Sequence, residues 1–175
     1  MKKHLIFLVI VALPVLLQIG TLGAASLSQS APKPTSETFS WSGELVALDQ
    51  TARTVTLKST VVGSALDELG HFKTGDRIVL SWSGFDKYAN AINHAVRYDA
   101  TRKLDERFAF PAEFVSFDAT KKYLTFKSQI PAESISKLQP LKAGEWVTAT
   151  SPHGKFSEAQ PIVAIRPYNE PASNS

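Results

Sequence analysis

Two stretches of equal length decide the fold: residues 44–59 are ELVALDQTARTVTLKS, and residues 113–128 are EFVSFDATKKYLTFKS. The second stretch follows the first by 69 positions, and no insertion or deletion is needed to align them. The same offset extends to Arg97, which aligns with Arg166. A repeated unit of about 65 residues has the size of a small domain, not of a solenoid repeat. The sequence therefore predicts an internal duplication.

Each copy of the stretch has the pattern of a β-hairpin. Val46 and Leu48 alternate with polar or small neighbours, and Val55 and Leu57 alternate with polar ones. Alternation with a period of two is typical of strands that bury one face. Between the two strands, the carboxylate of Asp49 can accept a backbone N–H from two residues further on and close a turn. The repeated aspartate is thus explained without catalysis.

The remainder of each copy predicts one short helix and two more strands. The helix is expected at GSALDELGHF (residues 63–72) and at PAESISKL (residues 131–138), where apolar residues are three positions apart. Gly75 and Gly144 are expected in the turn that leads to the next strand, since glycine tolerates positive φ. This order of elements is that of a small barrel of the oligonucleotide/oligosaccharide-binding (OB) type.

The predicted fold class is therefore mainly β, with two tandem small OB-like β-barrel repeats at an offset of 69 residues. An alternative stays open, in which both repeats together form one larger barrel or sandwich. The predicted organisation is a signal peptide (1–25), a disordered spacer (26–39), barrel repeat 1 (40–103), barrel repeat 2 (104–170) and a tail (171–175).

The N-terminal residues 1–25 have the features of a secretory signal peptide. Two lysines precede an apolar run, and Gly23 and Ala25 are small residues at the positions before a cleavage site. The apolar run is shorter than the ~20 residues that span a bilayer, which favours cleavage after Ala25 over an uncleaved anchor. We therefore expect a periplasmic or secreted protein. Because the sequence has no cysteine, its core must stabilise it without disulfides.

The charge of the mature chain argues against binding to nucleic acid or to an anionic membrane. The whole chain has a net charge of +3, and the loss of Lys2 and Lys3 with the signal peptide lowers it to +1. Proteins that bind these anionic surfaces normally present a clustered basic face. The longest basic runs that remain are pairs of residues. We therefore predict no nucleic-acid partner, and no membrane association after cleavage.

The segments GELVALDQTARTVTLKS (43–59) and FKTGDRIVLSW (72–82) resemble small exported OB-like β-barrel domains of uncharacterised function. More loosely, they are similar to the periplasmic copper chaperones that serve the Cus efflux system. Those chaperones bind copper through a histidine, methionines and a tryptophan on barrel strands. Met1 is the one methionine of this chain and belongs to the signal peptide. The resemblance therefore implies the fold and does not carry over the copper site.

The copies differ most in a segment of the first one. SWSGFDKYANAINH (81–94) aligns with the plainer SPHGKFSEAQPIV (151–163). Aromatic side chains can stack on a sugar, a base or a peptide while amides hydrogen-bond to it. Alternatively, Trp82 and Phe85 fill a groove between the domains. The candidate ligand-binding residues are Trp82, Phe85, Tyr88, Asn90, Asn93 and His94.

Two charged positions occur in both copies, a glutamate in the first strand and an arginine in the last. Because the first and last strands of small barrels often lie close together, we predict a Glu44–Arg97 and a Glu113–Arg166 ion pair. Each should contribute under ~1 kcal/mol if exposed. An anion site at Arg97 is the alternative interpretation.

No group of residues has the spacing of a metal site or a catalytic site. The histidines of the mature chain, His71, His94 and His153, are scattered and none is repeated at the offset of 69. The two SWSG segments lack the G-x-S-x-G form of a hydrolase nucleophile. We therefore predict no catalytic residue, no metal ligand, no cofactor and no enzymatic activity.

Together these features favour a non-enzymatic, exported binding or accessory module of the bacterial envelope. Its expected partner is an envelope protein or a glycan. Two alternatives stay open. One is a binder of glycan or another extended ligand through the Trp82 to His94 loop, and the other is a metal-handling periplasmic chaperone.

Overall fold

The computed structural model describes residues 38–85, 88–101, 108–153 and 161–168, and of residues 85 and 88–90 it describes the backbone. The predicted signal peptide, nearly all of the spacer and the tail lie outside these residues. In the described part of the chain, no helix has both the length and the hydropathy that a membrane-spanning helix needs. We call residues 38–101 the first half and residues 108–168 the second half.

The described chain is mainly β, which confirms the predicted class. Each half also has one short helix, joined to a 3-10 turn. The elements are β1 (Thr38–Asp49), β2 (Thr54–Thr60), α1 (Ala65–Glu68), a 3-10 turn (Leu69–His71), β3 (Arg77–Phe85), β4 (Tyr88–Arg97), β5 (Ala109–Asp118), β6 (Tyr123–Gln129), a 3-10 turn (Ala132–Ser134), α2 (Ile135–Leu138), β7 (Trp146–Pro152) and β8 (Ala164–Pro167).

The described strands form one sheet in the order β2-β6-β5-β3-β4-β1-β7-β8. Strands of the two halves interleave in it: β1 pairs with β7, β5 with β3, and β2 with β6. An additional pairing of β2 with β1 makes the sheet curl back toward its own start, and β8 remains at the other end. The segments 40–103 and 104–170 therefore do not divide into two separate barrels. Both contribute strands to one sheet, which does not close into a single barrel in the described chain.

The register of the strands relates the two halves by an approximate two-fold axis. Leu57 on β2 lies opposite Phe126 on β6, and these residues are 69 positions apart in the sequence. Glu44 lies opposite Trp146, and the equivalent residues Glu113 and Arg77 also lie opposite each other. Each half thus donates its first strand to the third strand of the other half.

The turns after β1 and β5 have equivalent structures in the two halves. The Asp49 carboxylate accepts the N–H of Ala52 at 2.8 Å, and the Asp118 carboxylate accepts the N–H of Lys121 at 2.9 Å. The acceptor role of the aspartate was predicted, but the donor is three residues further on, not two. The following residue has positive φ in both halves, 53° at Arg53 and 57° at Lys122. Placing a non-glycine residue in the left-handed conformation costs about 1–2 kcal/mol. The pairing of the flanking strands therefore imposes this turn on the chain.

Aromatic rings fill the core along the two-fold axis. Trp41 stacks on Phe110, its own equivalent in the second half, with ring centroids 4.9 Å apart and an interplanar angle of 10°. Phe39 meets its equivalent Phe108 edge to face at 5.3 Å. Trp82 stacks on the Trp41 ring at 4.9 Å. The centre of the fold is therefore built from side chains of both halves.

The indole N–H of Trp41 is also satisfied across the halves. It donates a hydrogen bond to Ser151 Oγ at 3.0 Å, and both residues are fully buried. Ser151 is the equivalent of Trp82, so two unlike residues at equivalent positions both contact Trp41. This bond stabilises the fold, because an unpaired buried donor is costly.

Replacing Trp41 with alanine should lower the free energy of unfolding by about 3–5 kcal/mol, because the change removes a large ring from a closely packed core. Urea denaturation followed by circular dichroism measures this loss. W146A is the matched control, since Trp146 is 46% exposed, and it should change the free energy by less than about 1 kcal/mol. Equal losses in the two variants would contradict the central role of Trp41.

Candidate functional site

The predicted ligand-binding residues lie on a β-hairpin formed by β3 and β4, not on a long loop. Ile78 lies opposite Arg97 at one end of this hairpin, and Phe85 lies opposite Tyr88 at the other. Trp82 is only 4% exposed and packs against both the Trp41 ring and the Phe110 ring of the other half. Its ring is therefore not available to stack on a ligand. The side chains of Phe85, Tyr88 and Asn90 lie outside the described part.

Asn93 and His94 belong to a small polar cluster that joins β4 to α1. His94 Nδ1 lies 2.9 Å from Glu68 Oε1 and 2.9 Å from Ser64 Oγ. The Ser64 hydroxyl donates to the Asn93 carbonyl at 3.1 Å, and the Ala95 N–H donates to Glu68 Oε2 at 2.7 Å. Every member except the backbone N–H of Ala95 is at least partly exposed. The cluster holds the short helix against the sheet.

The geometry of this cluster does not activate a nucleophile. In a serine-histidine-acid triad, the acid holds one ring nitrogen and the serine donates to the other. Here Ser64 and Glu68 approach the same atom, Nδ1 of His94. With the Glu68 carboxylate accepting the proton on Nδ1, that nitrogen has no lone pair to accept the Ser64 proton. The contacts fit a structural role for all three residues.

Glu68 is the titratable centre of the cluster. Burial raises the pKa of its carboxyl, but hydrogen bonds from the Ala95 N–H, from His94 and from Ser64 outweigh that effect. The pKa of Glu68 therefore lies below its ordinary value of 4.5. A carboxyl with a lowered pKa stabilises the fold above the unfolded pKa, and the contribution is lost as the pH falls through the folded pKa.

The repeated glutamates pair with lysines and not with the predicted arginines. Glu44 Oε2 lies 2.7 Å from Lys58 Nζ, and Glu113 Oε1 lies 2.6 Å from Lys127 Nζ, instead of meeting Arg97 and Arg166. The reason is the strand register, which places each glutamate directly opposite its lysine. The two lysines are themselves 69 positions apart, so the sequence contained this signal.

Arg97 has a different environment from the one predicted. Its guanidinium donates to Asp76 Oδ2 at 3.1 Å and lies over the Phe72 ring at 5.6 Å. The Arg97 hydrogen bond lowers the pKa of the Asp76 carboxyl, and the backbone N–H of Lys73 lowers it further. A carboxylate thus already occupies the position where an anion would bind to Arg97.

The histidines do not form a metal centre in the described chain. His94 contacts Glu68, whereas the His153 ring packs against Phe39 and Phe108 with centroids 5.2 and 5.1 Å away. His71 ends the 3-10 turn after α1 and is exposed. No three histidine, aspartate or glutamate side chains of the described residues come together as a metal site would require.

A cleft that was not predicted opens where β5 and β6 diverge. The two strands pair from Glu113 and Lys127 onward, and before that point β5 pairs with β3 instead. The opening has a volume of about 240 Å³. We call it the β5–β6 cleft and define it by the residues Arg77, Ala112, Glu113, Lys127, Ser128 and Gln129.

At the equivalent place in the first half, Gly43 lies close to the neighbouring strand β2. A Cβ at Gly43 would lie 3.0 Å from Ser59 Oγ and 3.3 Å from the Lys58 carbonyl oxygen, which is closer than side chains normally approach. Ala112 is the equivalent of Gly43 and carries that Cβ. The second half therefore has a methyl group at the position where the first half has none, and Ala112 lines the cleft.

The serine hydroxyls near this position also differ between the two halves. In the first half, Ser59 Oγ donates to the Ser42 carbonyl at 3.4 Å. Its equivalent Ser128 is 5% exposed, and its hydroxyl has no hydrogen-bond partner in the described chain. Pro111 stands at the position of Ser42. A buried, unpartnered hydroxyl beside an open cleft is a group that a bound molecule could satisfy.

The charged walls of the cleft are held in place by neighbouring side chains. The Arg77 guanidinium lies over the Tyr98 ring at 4.3 Å, and Lys127 forms the ion pair with Glu113. The Gln129 amide group, turned to donate, reaches the carbonyl oxygens of Arg53 at 3.0 Å and Ala52 at 3.3 Å. Such fixed polar groups around a small opening can orient a polar ligand.

The outer face of the first half has different chemistry at the equivalent position. Trp146 of the second half lies opposite Glu44, just as Arg77 of the first half lies opposite Glu113 in the cleft, and the exposed Trp146 ring meets Tyr168 edge to face at 6.4 Å. The same backbone therefore supports a charged site on one side and an aromatic surface on the other. Sequence comparison of the halves contained both differences, Gly43 against Ala112 and Arg77 against Trp146, but not the strand arrangement that makes them matter.

Replacing Glu68 with glutamine should destabilise the protein by up to about 1 kcal/mol at neutral pH, because the charged carboxylate gains hydrogen bonds on folding. The difference from the wild type should shrink as the pH falls below 4.5, the ordinary pKa of the group. Urea denaturation over a series of pH values measures it. E133Q, at an exposed position of the second half, should show no such trend. A pH-independent difference for E68Q would contradict the assignment.

Comparison with protein-family models, with curated proteins and with solved structures finds no match to this chain. The fold, the β5–β6 cleft and the contacts around it are thus the observations from which a function can be inferred.

Proposed function

We propose that this protein is a non-enzymatic, exported module of the bacterial envelope that binds a small polar ligand, or the end group of a larger one, in the β5–β6 cleft. The observation that carries the proposal is the cleft itself, with charged walls and the unpartnered hydroxyl of Ser128. Small-molecule sites are concave and have a few well-placed polar groups. The partner is an envelope glycan or protein that presents such a group.

The size of the cleft limits what it accepts. Its volume of about 240 Å³ lies below the roughly 300–1,000 Å³ that is usual for drug-sized ligands. One sugar ring or one end group fits such a space better than a long segment of polymer does. The cleft would therefore recognise a unit of a glycan or a terminus of a chain, and the rest of the partner would stay outside.

The cleft supports binding better than the hairpin from Trp82 to His94 does. Trp82 is part of the core, and His94 is engaged by Glu68 and Ser64. Two of the polar and aromatic groups expected to contact a ligand are therefore used by the fold itself. The cleft adds a concave opening beside a buried hydroxyl without a partner, Ser128 Oγ, whereas the unpartnered buried atoms of the hairpin, Trp82 Nε1 and Asn93 Oδ1, line no such opening.

The proposal includes an origin by duplication of an OB-like unit and export by cleavage after Ala25. Equivalent turns, ion pairs and core rings at an offset of 69 support the duplication. The order of lysines, apolar run and small residues at the N-terminus supports the export. Mass spectrometry of the exported protein should find Ser26 as the first residue, and an intact segment 1–25 would contradict the localisation.

A ligand panel followed by nuclear magnetic resonance tests the binding site. Isotope-labelled exported protein is titrated with neutral sugars, sugar acids, short peptides and divalent metal ions. We expect at least one organic ligand to shift the amide signals of Ala112, Ser128 and Gln129. Shifts confined to residues 82–94 would favour the hairpin surface instead, and a response to metal ions alone would favour a metal-handling chaperone. Either result would overturn the assignment to the cleft.

A pair of equivalent variants provides the control. Gln129 and Thr60 are exposed residues at equivalent positions, and only Gln129 lines the cleft. Q129W should fill the opening and weaken binding by about tenfold or more, which corresponds to ~1.4 kcal/mol. T60W should leave affinity unchanged. Equal affinity in both variants, with unchanged melting temperatures, would place the binding site elsewhere.

A further inference from the structure

The arginine that is repeated in the last strand of each half lies on different faces of the sheet. Arg97 on β4 lies opposite Ile78, whereas Arg166 on β8 lies opposite Thr148. At the offset of 69 residues the equivalent of Ile78 is Val147, so the pairing of β8 with β7 is shifted by one residue. A shift of one residue moves a side chain to the other face of a sheet.

The shift places Arg166 beside two aromatic residues on the outer face. Val147 belongs to the main core, so Trp146 and Thr148 on either side of it face outward. Arg166 faces outward with Thr148, the residue opposite it. Tyr168 donates its N–H to the Trp146 carbonyl at 3.0 Å, and the two rings meet edge to face. We call Trp146, Arg166 and Tyr168 the outer patch.

The Arg166 side chain lacks the partner that its equivalent has. In the first half, Arg97 donates to the Asp76 carboxylate at 3.1 Å. Glu145 is the equivalent of Asp76, and its carboxylate accepts the backbone N–H of Lys142. Among the residues that the structure describes, the Arg166 side chain has neither a hydrogen bond nor an ion pair. The shifted register thus separates this arginine from the acid that its equivalent contacts.

The charges on the other side of the outer patch balance each other. Glu44 lies opposite Trp146 on β1, and its carboxylate lies 2.7 Å from Lys58 Nζ. Arg166 therefore gives the patch one positive charge without a counter-ion in the described chain. A ligand that carries carboxylates complements this charge.

The two rings of the outer patch are open to solvent. Trp146 is 46% exposed and Tyr168 is 52% exposed, whereas Trp41 and Trp82 are buried. Exposed rings with a polar atom can stack on the apolar face of a sugar while the indole N–H and the phenol hydroxyl bond to its hydroxyls. The planar guanidinium of Arg166 can hold a carboxylate through two parallel hydrogen bonds.

The position of the outer patch favours a glycan over a protein partner. Its tryptophan lies on β7, which pairs with β1 on one side and with β8 on the other, so no peptide strand can add there. Stable protein interfaces bury about 800 Å² on each partner around a core depleted of charge. Here two rings lie between an ion pair and an arginine. Neighbouring strands are about 4.8 Å apart and alternate residues about 7 Å apart, so one or two sugar units can reach all three side chains.

We propose that the outer patch binds an acidic glycan, with sugar rings stacked on Trp146 and Tyr168 and a sugar carboxylate on Arg166. The patch shares no residue with the β5–β6 cleft, so this inference does not rest on the ligand of the cleft. A second site on another face lets the protein hold a polymer at two points.

Fluorescence titration of the exported protein with trigalacturonate and with its methyl ester tests the proposal, because the ester lacks only the negative charges. Contact with the exposed Trp146 ring should change the tryptophan emission. We expect the acid to bind at least about tenfold more tightly than the ester, the effect of one charge-assisted pair. Triglutamate supplies three carboxylates without sugar rings, and we expect it to bind more weakly than trigalacturonate.

Three results of this titration would overturn the proposal. Equal affinity for the acid and the ester would contradict the role of the charge. Equal or tighter binding of triglutamate would assign the patch to an acidic peptide. Absence of binding by all three probes would remove the site altogether.

The two equivalent arginines supply matched variants. R166Q removes the cation of the outer patch, and R97Q removes the equivalent cation that is already bonded to Asp76. We expect R166Q to weaken trigalacturonate binding about tenfold and R97Q to leave it unchanged. Equal weakening in both variants would show a general charge effect and contradict the site.

A second pair of variants, followed by calorimetry, separates the outer patch from the β5–β6 cleft. W146A should weaken trigalacturonate binding about tenfold or more, because a stacking surface is lost. Q129W fills the cleft and should leave this binding unchanged. Loss of binding in Q129W but not in W146A would place the glycan in the cleft, which overturns this inference and leaves the proposed function standing. Binding that is lost only in W146A supports the outer patch, whatever the cleft binds.

Discussion

The stack of Trp41 on Phe110 is the contact on which the rest of the structure depends. The two rings occupy equivalent positions 69 residues apart, and they can meet face to face at 4.9 Å only if the halves share one core. A unit of about 60 residues buries only about 60% of the surface of its unfolded chain, so each half alone would be marginal. Exchanging first strands, β1 onto β7 and β5 onto β3, brings both rings to the common axis. One larger core then replaces two small ones.

The two halves of the fold are nearly equivalent, and the candidate site lies where they differ. Gly43 allows β1 and β2 to approach closely, and the methyl group of Ala112 occupies the corresponding space in the second half. The serine hydroxyls beside this position also differ, since Ser59 Oγ donates to a backbone carbonyl and Ser128 Oγ is buried without a partner in the described chain.

The ion pairs of the repeated glutamates show which contacts the sequence pattern could predict and which it could not. The repetition of Glu44 as Glu113 correctly indicated a charged residue with a fixed partner, but the partners are Lys58 and Lys127. Cross-strand neighbours are chosen by the register of a hairpin, which the sequence also contained. The predicted arginine partners assumed contact between the first and last strands of one barrel. That contact depends on a topology in which each repeat closes on itself, and the exchanged strands replace it.

The sequence by itself determined most of the local structure: the strands, the aspartate turns, the glycine turns and the equivalence of positions 69 apart. These features follow from φ, ψ preferences and from a period of two, which are properties of a few neighbouring residues. The alternation predicted for Val46 was wrong, because a bulge between Leu45 and Ala47 buries Leu45 and leaves Val46 exposed. Only the tertiary structure decided which half supplies the partner of each strand. Because the two copies present nearly the same pattern of apolar and polar residues, β1 can satisfy its buried face against β3 or against β7, and the pattern does not distinguish them. The sequence left Trp82 open between a ligand contact and a contact between the halves, and the exchanged strands decide for the second by stacking Trp82 on Phe110.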